Sequence, residues 1–337
     1  MSRYAEAHKN HNGPGDARPT ALQIVEDEGL TGKLTDKVFL VTGVSSGIGI
    51  ETMRALYATG GHVFGTVRNM EKGQKAVDEV KAKTKGGSIT LLEMDNENLA
   101  TVKKAADSFL EQSKTLNILM NNAGVMATPQ GLTKDNIETQ FGTCHVAHFY
   151  LFQLLKDTLL ASSTPDFPSR VVSLSSMGHR CAPINFGDIN YENGGYEPWK
   201  AYGQAKTANI YLANEIERRY GEKGLHATSL HPGGINTGLQ VHLDAAVTEG
   251  WNDPAIMSHM KSPEQGASTS VYAALSEEWK NKGGRYLADC MEQGPFQHPE
   301  NPMSLDDDGY AKWAFDEEAE KRLWKESLKL VGLDHDQ

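Results

Sequence analysis

Cysteine is scarce: Cys144, Cys181 and Cys290 are the only three in 337 residues, far apart and without metal-ligand spacing. That excludes a disulfide scaffold and fits a reducing compartment holding three free thiols. Long apolar runs are missing too. No segment approaches the roughly 20 consecutive apolar residues of a membrane span. The first twenty residues, with His8, Lys9, His11, Gly13, Pro14, Gly15 and Pro19, lack the apolar stretch of a signal peptide. A cytoplasmic protein is expected. Basic charge is also in deficit, with 33 Lys and Arg against 44 Asp and Glu and a formal net charge of −11. Phosphate-backbone binding needs clustered Lys and Arg, so the expected partner is a small molecule, with no nucleic acid and no membrane. A metal set is missing as well: His145 and His148 share a helical face beside Cys144, but no acidic residue completes the pattern.

What is present is an alternation of short apolar runs and longer amphipathic ones. Residues 1–36 read as an N-terminal extension, a polar, Gly/Pro-rich mobile arm to about residue 20 followed by a short surface helix over Ala21 to Leu30. From Val38 to Val41 the chain is fully apolar and ends at Gly43, as a strand buried on both faces does. Further strands are predicted at 62–67, 89–94, 116–120, 170–174 and 225–230, with a last one at Gly284 to Leu287. Helices are predicted at 70–83 and 97–113, and around 135–160 and 200–220. Strands alternating with helices imply an α/β fold, a single Rossmann-type doubly wound parallel sheet flanked by helices, over residues 37–337.

Gly43, Gly47 and Gly49 sit where the first strand turns into the first helix, with Ser45, Ser46 and Ile48 between them. Such a turn lets backbone approach a pyrophosphate at a helix N-terminus. At the end of the second strand an acidic residue would read a ribose 2′-hydroxyl, whereas an arginine would suit a 2′-phosphate. Here Gly65-Thr-Val-Arg68-Asn69 offers Arg68 and no acid, which favours NADP(H) unless Arg68 is only a solvated charge. Asp95, closing the third strand, is placed for an adenine amino group or to cap the next helix.

A carbonyl that becomes an alkoxide needs a proton donor within hydrogen-bond reach. Tyr202 can serve if Lys206, one helical turn along on the same face, lowers its pKa. Tyr196 and Lys200 have the same spacing, but Pro198 between them discourages a helix interior. Ser175 and Ser176 follow a buried strand at the sheet edge where ligands bind, and either hydroxyl could polarise the oxygen. Asn122, Ala123 and Gly124 form a polar turn after the fourth strand that braces backbone and cofactor. In His231-Pro232-Gly233-Gly234-Ile235-Asn236-Thr237, the Ile235 backbone and Thr237 hydroxyl could reach the nicotinamide carboxamide and the phosphates, or Pro232 and the glycines could simply make a turn.

This ordered set resembles the short-chain dehydrogenase/reductase superfamily, and within it the branch of retinol dehydrogenases and WW-domain oxidoreductases. The likeness runs over roughly 37–290 and includes Arg68-Asn-Met-Glu-Lys-Gly73, Asn121-Asn-Ala-Gly-Val-Met126, Ala147-His-Phe149 and Ser262-Pro-Glu-Gln-Gly266. It implies catalysis by Ser176, Tyr202 and Lys206, with the lysine also holding the nicotinamide ribose. The family's relay asparagine is replaced: Phe141-Gly-Thr-Cys144-His145 carries a thiol there, whose backbone carbonyl could still hold a relay water. The family's habits also imply subunit contacts through the helices around 138–160 and 201–220, hence a possible homodimer. Residues 238–262, with Leu239, Val241, Leu243, Val247, Trp251, Ile256, Met257 and Met260, read as an apolar substrate lid or as ordinary helix faces. The leading expectation is an NADP(H)-dependent oxidoreductase interconverting a carbonyl and an alcohol on a lipophilic molecule. The alternatives are a non-redox isomerase, dehydratase or cyclase, or a catalytically weak NADPH-binding protein.

Overall fold

The computed structural model describes residues 2–333. Two short helices, α1 (Ala5–Lys9) and α2 (Ala21–Asp27), precede β1 (Val38–Thr42). There follow α3 (Ile48–Ala58), β2 (His62–Val67), α4 (Met70–Lys83), β3 (Ser88–Glu93), α5 (Leu99–Gln112) and β4 (Ile118–Asn121). The next helical stretch is α6 (Thr139–Phe141), a π-helical turn (Gly142–Val146) and α7 (Ala147–Ser162), and it leads to β5 (Ser169–Leu174). Beyond lie α8 (Pro198–Tyr220), β6 (Leu225–His231), α9 (Ala245–Gly250), α10 (Pro254–His259), α11 (Pro263–Gly266) and α12 (Ser268–Leu275). The last elements are β7 (Tyr286–Ala288), β8 (Met291–Glu292) and α13 (Glu317–Leu330).

The strands form an eight-stranded sheet in the order β3-β2-β1-β4-β5-β6-β7-β8. All pairs are parallel except β7 with β8, which is antiparallel. Strands β1, β4, β5 and β6 are almost wholly buried, which is why β1 and β4 read as short apolar runs. Helices α2, α3 and α12 bury one face of the sheet, with Phe39, Val41 and Met120 between them. On the other face α5, α7, α8 and α13 pack over Leu40, Phe64 and Leu119. The order reverses between β1 and β4, so a crevice opens at the carboxyl ends of those strands.

Three expectations change here. The N-terminal arm is docked: the Tyr4 ring meets Tyr272 edge-on at 5.7 Å, and Tyr4, His8 and Arg18 are buried. Its polarity pointed to solvent, but Tyr4 and His8 pair with the Asp27 and Asp289 carboxylates and Arg18 is used on the His259 and Met260 carbonyls. The long helix around 135–160 is interrupted, since the Ala147 amide reaches back five residues to the Gly142 carbonyl. That π turn carries Cys144 and His145. Third, α13 went unforeseen, although Asp316 caps it through Ala319 N at 3.1 Å and its first turn holds Glu317, Glu318 and Glu320. Trp324 packs edge-on to Phe149 at 5.0 Å under the Arg219 guanidinium, while Asn214 Nδ2 donates to Glu320 Oε1 at 2.6 Å. Part of the surface of α7 and α8 is therefore covered by α13.

Candidate active site

The crevice at the carboxyl edge of the sheet is a cavity of about 880 Å³. Every residue expected to act in catalysis or to bind the cofactor lines it. Gly43, Ser45, Ser46, Gly47 and Ile48 come from the first turn, and Arg68 and Asp95 from the ends of β2 and β3. Asn122, Ala123 and Gly124 follow β4, Ser176 follows β5, Tyr202 and Lys206 project from α8, and Pro232, Gly233, Ile235 and Thr237 follow β6.

The glycine turn is built for close approach. Gly43 and Gly47 have φ of +73° and +59°, and a Cβ at Gly49 would lie 2.1 Å from the Gly43 carbonyl oxygen. Asn122 braces it, Nδ2 donating to Thr42 O at 2.7 Å, while Asn122 Oδ1 is buried without a partner. Thr42 Oγ1 accepts from the Asn122 and Ala123 amides, each at 2.9 Å, and lies 2.9 Å from His148 Nε2. A backbone cradle at a helix N-terminus with a spare acceptor fits a dinucleotide. Arg68 is 68% exposed with Glu97 3.7 Å away. Asp95 does not cap α5, since Asn98 does so through Ala100 N; Asp95 Oδ1 instead accepts from Glu97 N at 3.1 Å.

Deeper in, the two serines separate. Ser175 Oγ donates to the Lys206 carbonyl at 2.8 Å and is buried, whereas Ser176 Oγ accepts from Gly178 N at 3.0 Å and hydrogen-bonds Tyr202. Gly178 permits this packing, because a Cβ there would fall 2.7 Å from the Tyr202 ring. Lys206 Nζ lies 5.5 Å from that ring's centre and donates to Leu174 O at 3.0 Å. The expected lowering of the Tyr202 pKa is overturned: burial pushes the hydroxyl up, and Lys206 and Ser176 oppose it without prevailing. Cys144 is fully buried, its thiol 3.5 Å from Val125 O and its pKa raised by burial. Its carbonyl, expected to hold a water, already accepts from His148 Nδ1 at 2.9 Å. Because that carbonyl only accepts, the His148 proton sits on Nδ1, and Nε2 receives the Thr42 hydroxyl.

A family model described as short chain dehydrogenase matches residues 37–247. The chain belongs to the short-chain dehydrogenase family. Short-chain dehydrogenase/reductase prx1 of Penicillium roqueforti is 50% identical over 332 residues, covering 98% of this chain and 95% of that protein. Human retinol dehydrogenase 13 is 34% identical, covering 88% and 85%. Among solved structures, an uncharacterized protein from Mycobacterium Paratuberculosis superposes with a TM-score of 0.66 at 29% identity, over 91% of this chain and 97% of its own. The family binds NAD(P), which agrees with the cradle.

Some lining residues escaped the sequence reading. Met303 and Leu305 enter the cavity from the segment after β8, which Arg180 fixes by donating to Asp307 O at 2.8 Å. Trp199 packs edge-on to Tyr202 at 5.9 Å. Of the lid residues, Leu239, Val241, Trp251, Ile256 and Met260 line the cavity; Leu243, Val247 and Met257 do not. Apolar identity could have flagged Met303 and Leu305, but nothing local says that a chain so far from Tyr202 returns to it. Among the described residues no group of His, Cys, Asp and Glu could hold a metal ion, and no helix is long and apolar enough to cross a membrane.

Proposed function

We propose that this short-chain dehydrogenase uses NADP(H) to interconvert a carbonyl and an alcohol on a lipophilic small molecule. The observation that carries the reading is the convergence of Ser176, Tyr202 and Lys206 beside the glycine cradle in one cavity. The cradle residues would hold the pyrophosphate and Arg68 the 2′-phosphate; when bound, the cofactor supplies hydride chemistry. The chain supplies the proton. Burial keeps the Tyr202 hydroxyl protonated near neutral pH, so it is ready to donate to a carbonyl oxygen. Ser176 Oγ donates to the same oxygen, and the Lys206 ammonium stabilises the phenolate left behind. Leu239, Val241, Trp251, Ile256, Met260, Met303 and Leu305 give the outer cavity its apolar wall, which suits a lipophilic substrate and excludes water.

Tyr202→Phe removes the proton donor and leaves the cradle alone. NADPH-dependent reduction of lipophilic ketones should fall by at least roughly 10²-fold, with NADPH affinity by fluorescence titration nearly unchanged. Equal turnover in variant and wild type would refute the assignment.

A further inference from the structure

The apolar wall of the cavity includes Ile256 and Met260, at and just beyond α10. This helix is six residues long and has no fully buried residue, so little in its own packing fixes its place. Its carbonyls are held from far away in the sequence. Arg18 Nη1 donates to His259 O at 2.8 Å and Nη2 to Met260 O at 2.5 Å, while Gly13 N donates to Ser258 O at 2.9 Å. Three consecutive carbonyls at the C-terminal end of the helix, where backbone acceptors ordinarily lack partners, are thus capped by residues 13–18. A cation there also suits the helix dipole.

The capping segment is itself anchored. Asp16 Oδ1 accepts from Arg18 Nε at 2.9 Å, which orients the guanidinium fork. Gln265, 1% exposed, donates from Nε2 to Asp16 O and Arg18 O, each at 3.1 Å, and accepts from Gly15 N at 2.9 Å. The His11 ring lies 3.9 Å from that of His259. On its inner side the held stretch joins the loop after β6, with Lys261 N donating to Gly234 O at 2.8 Å. A continuous set of contacts therefore runs from the N-terminal segment through 258–261 to the cavity wall. The segment and α10 both lie outside residues 37–247, which match the family model.

We propose that residues 11–18 form a strap that sets the substrate lid, with Arg18 as its positioning residue: it touches neither substrate nor cofactor, but fixes where Ile256 and Met260 stand. This rests on the reading of the cavity as the site of carbonyl reduction. A strap of this kind governs how well a lipophilic substrate is gripped more than how fast it reacts, because Ser176, Tyr202 and Lys206 are carried by other elements.

The test compares the full-length chain with Arg18→Ala and Arg18→Lys. Hydrogen exchange is followed peptide by peptide, NADPH affinity by fluorescence titration, and KM and kcat with a panel of lipophilic ketones. In Arg18→Ala, exchange over residues 254–261 should quicken on the order of ten-fold or more, as expected for losing charge-assisted bonds, with the sheet strands unaffected. KM should rise by a similar factor, with kcat and NADPH affinity within about three-fold. Arg18→Lys, which keeps the charge but lacks the planar fork that reaches both carbonyls from two nitrogens, should fall between. It keeps the test open if Arg18→Ala fails to fold. Unchanged exchange over 254–261, or faster exchange with KM unmoved, would overturn the proposal. Wild-type protein that reduces no ketone would sink the functional reading alone, and the exchange comparison would still decide whether Arg18 holds the lid.

Discussion

The proposed preference for NADPH over NADH rests on Arg68, and the size it should have can be worked out. The side chain is 68% exposed and already faces Glu97 at 3.7 Å, so it sits in a solvent-screened setting with one competing anion. A unit charge pair at 4 Å contributes about 1 kcal/mol in bulk water. A 2′-phosphate carries close to two charges, so Arg68 should contribute about 1.5–2 kcal/mol, or roughly 10–30-fold in Kd. Arg68→Ala should weaken NADPH by that factor and leave NADH where it was, as measured by parallel fluorescence titrations at low salt. Glu97→Gln removes the competitor and should tighten NADPH several-fold, again without touching NADH. Both effects should shrink at high salt, because the site is exposed. If the two cofactors weaken equally in Arg68→Ala, or NADPH does not weaken, Arg68 is a solvated charge and the selectivity argument fails.

Four further outcomes are expected. Cys144→Asn places a larger, polar amide in a fully buried site where the thiol meets Val125 O, so urea unfolding should show a loss of about 1–3 kcal/mol. Because the Lys206 bond to Leu174 is untouched, turnover should change less than ten-fold, and a hundred-fold gain would show that the thiol limits the relay. Trp324→Ala should cost about 3–5 kcal/mol, since the ring is buried against Phe149 and Phe152. With that face covered, wild type should sediment as a monomer; a dimer joined through this face would contradict the packing. Acid should destabilise the fold early: burial lowers His145 and His179 to about 3 and His148 to about 4, against about 6.5 when unfolded. All three are neutral in the folded state, so their contribution is complete above pH 6.5 and is lost as pH falls toward 4. The slope should reach about 4 kcal/mol per pH unit for three such groups, and a flat urea midpoint between pH 6.5 and 4.5 would refute the assignment.

The parallel sheet was legible because β1, β4, β5 and β6 are buried on both sides, so burial alone dictates runs such as Val38-Phe-Leu-Val41. His62–Val67 and Met70–Lys83 fall where periodicity places them. The candidate site was legible for a related reason: apart from Tyr202 and Lys206 on α8, its residues sit on turns at strand ends, where glycine, serine and asparagine have few other uses. What escaped depends on contacts distant in sequence. Arg18 reads as one more surface cation until the carbonyls of His259 and Met260 are seen beneath it. Met303 and Leu305 read as a loop, and the Tyr202 pKa follows from how deeply the ring is enclosed, which the Tyr-Lys spacing does not reveal. The π turn at Cys144 left no mark in the periodicity, because one extra residue in one turn is lost among buried apolar neighbours.

The position of α13 bears on how the protein is made. All eight strands and the Tyr202 helix are synthesised before residues 317–330, so most of the nascent sheet can assemble while Phe149, Phe152 and Leu212 still lack their covering helix. During that interval the chain displays an apolar stripe on two long helices, a surface that a chaperone would bind and that a second nascent chain could pair with. Residues 317–330 close that stripe, so a truncation that removes them should reveal itself first as aggregation during expression, ahead of any change in chemistry.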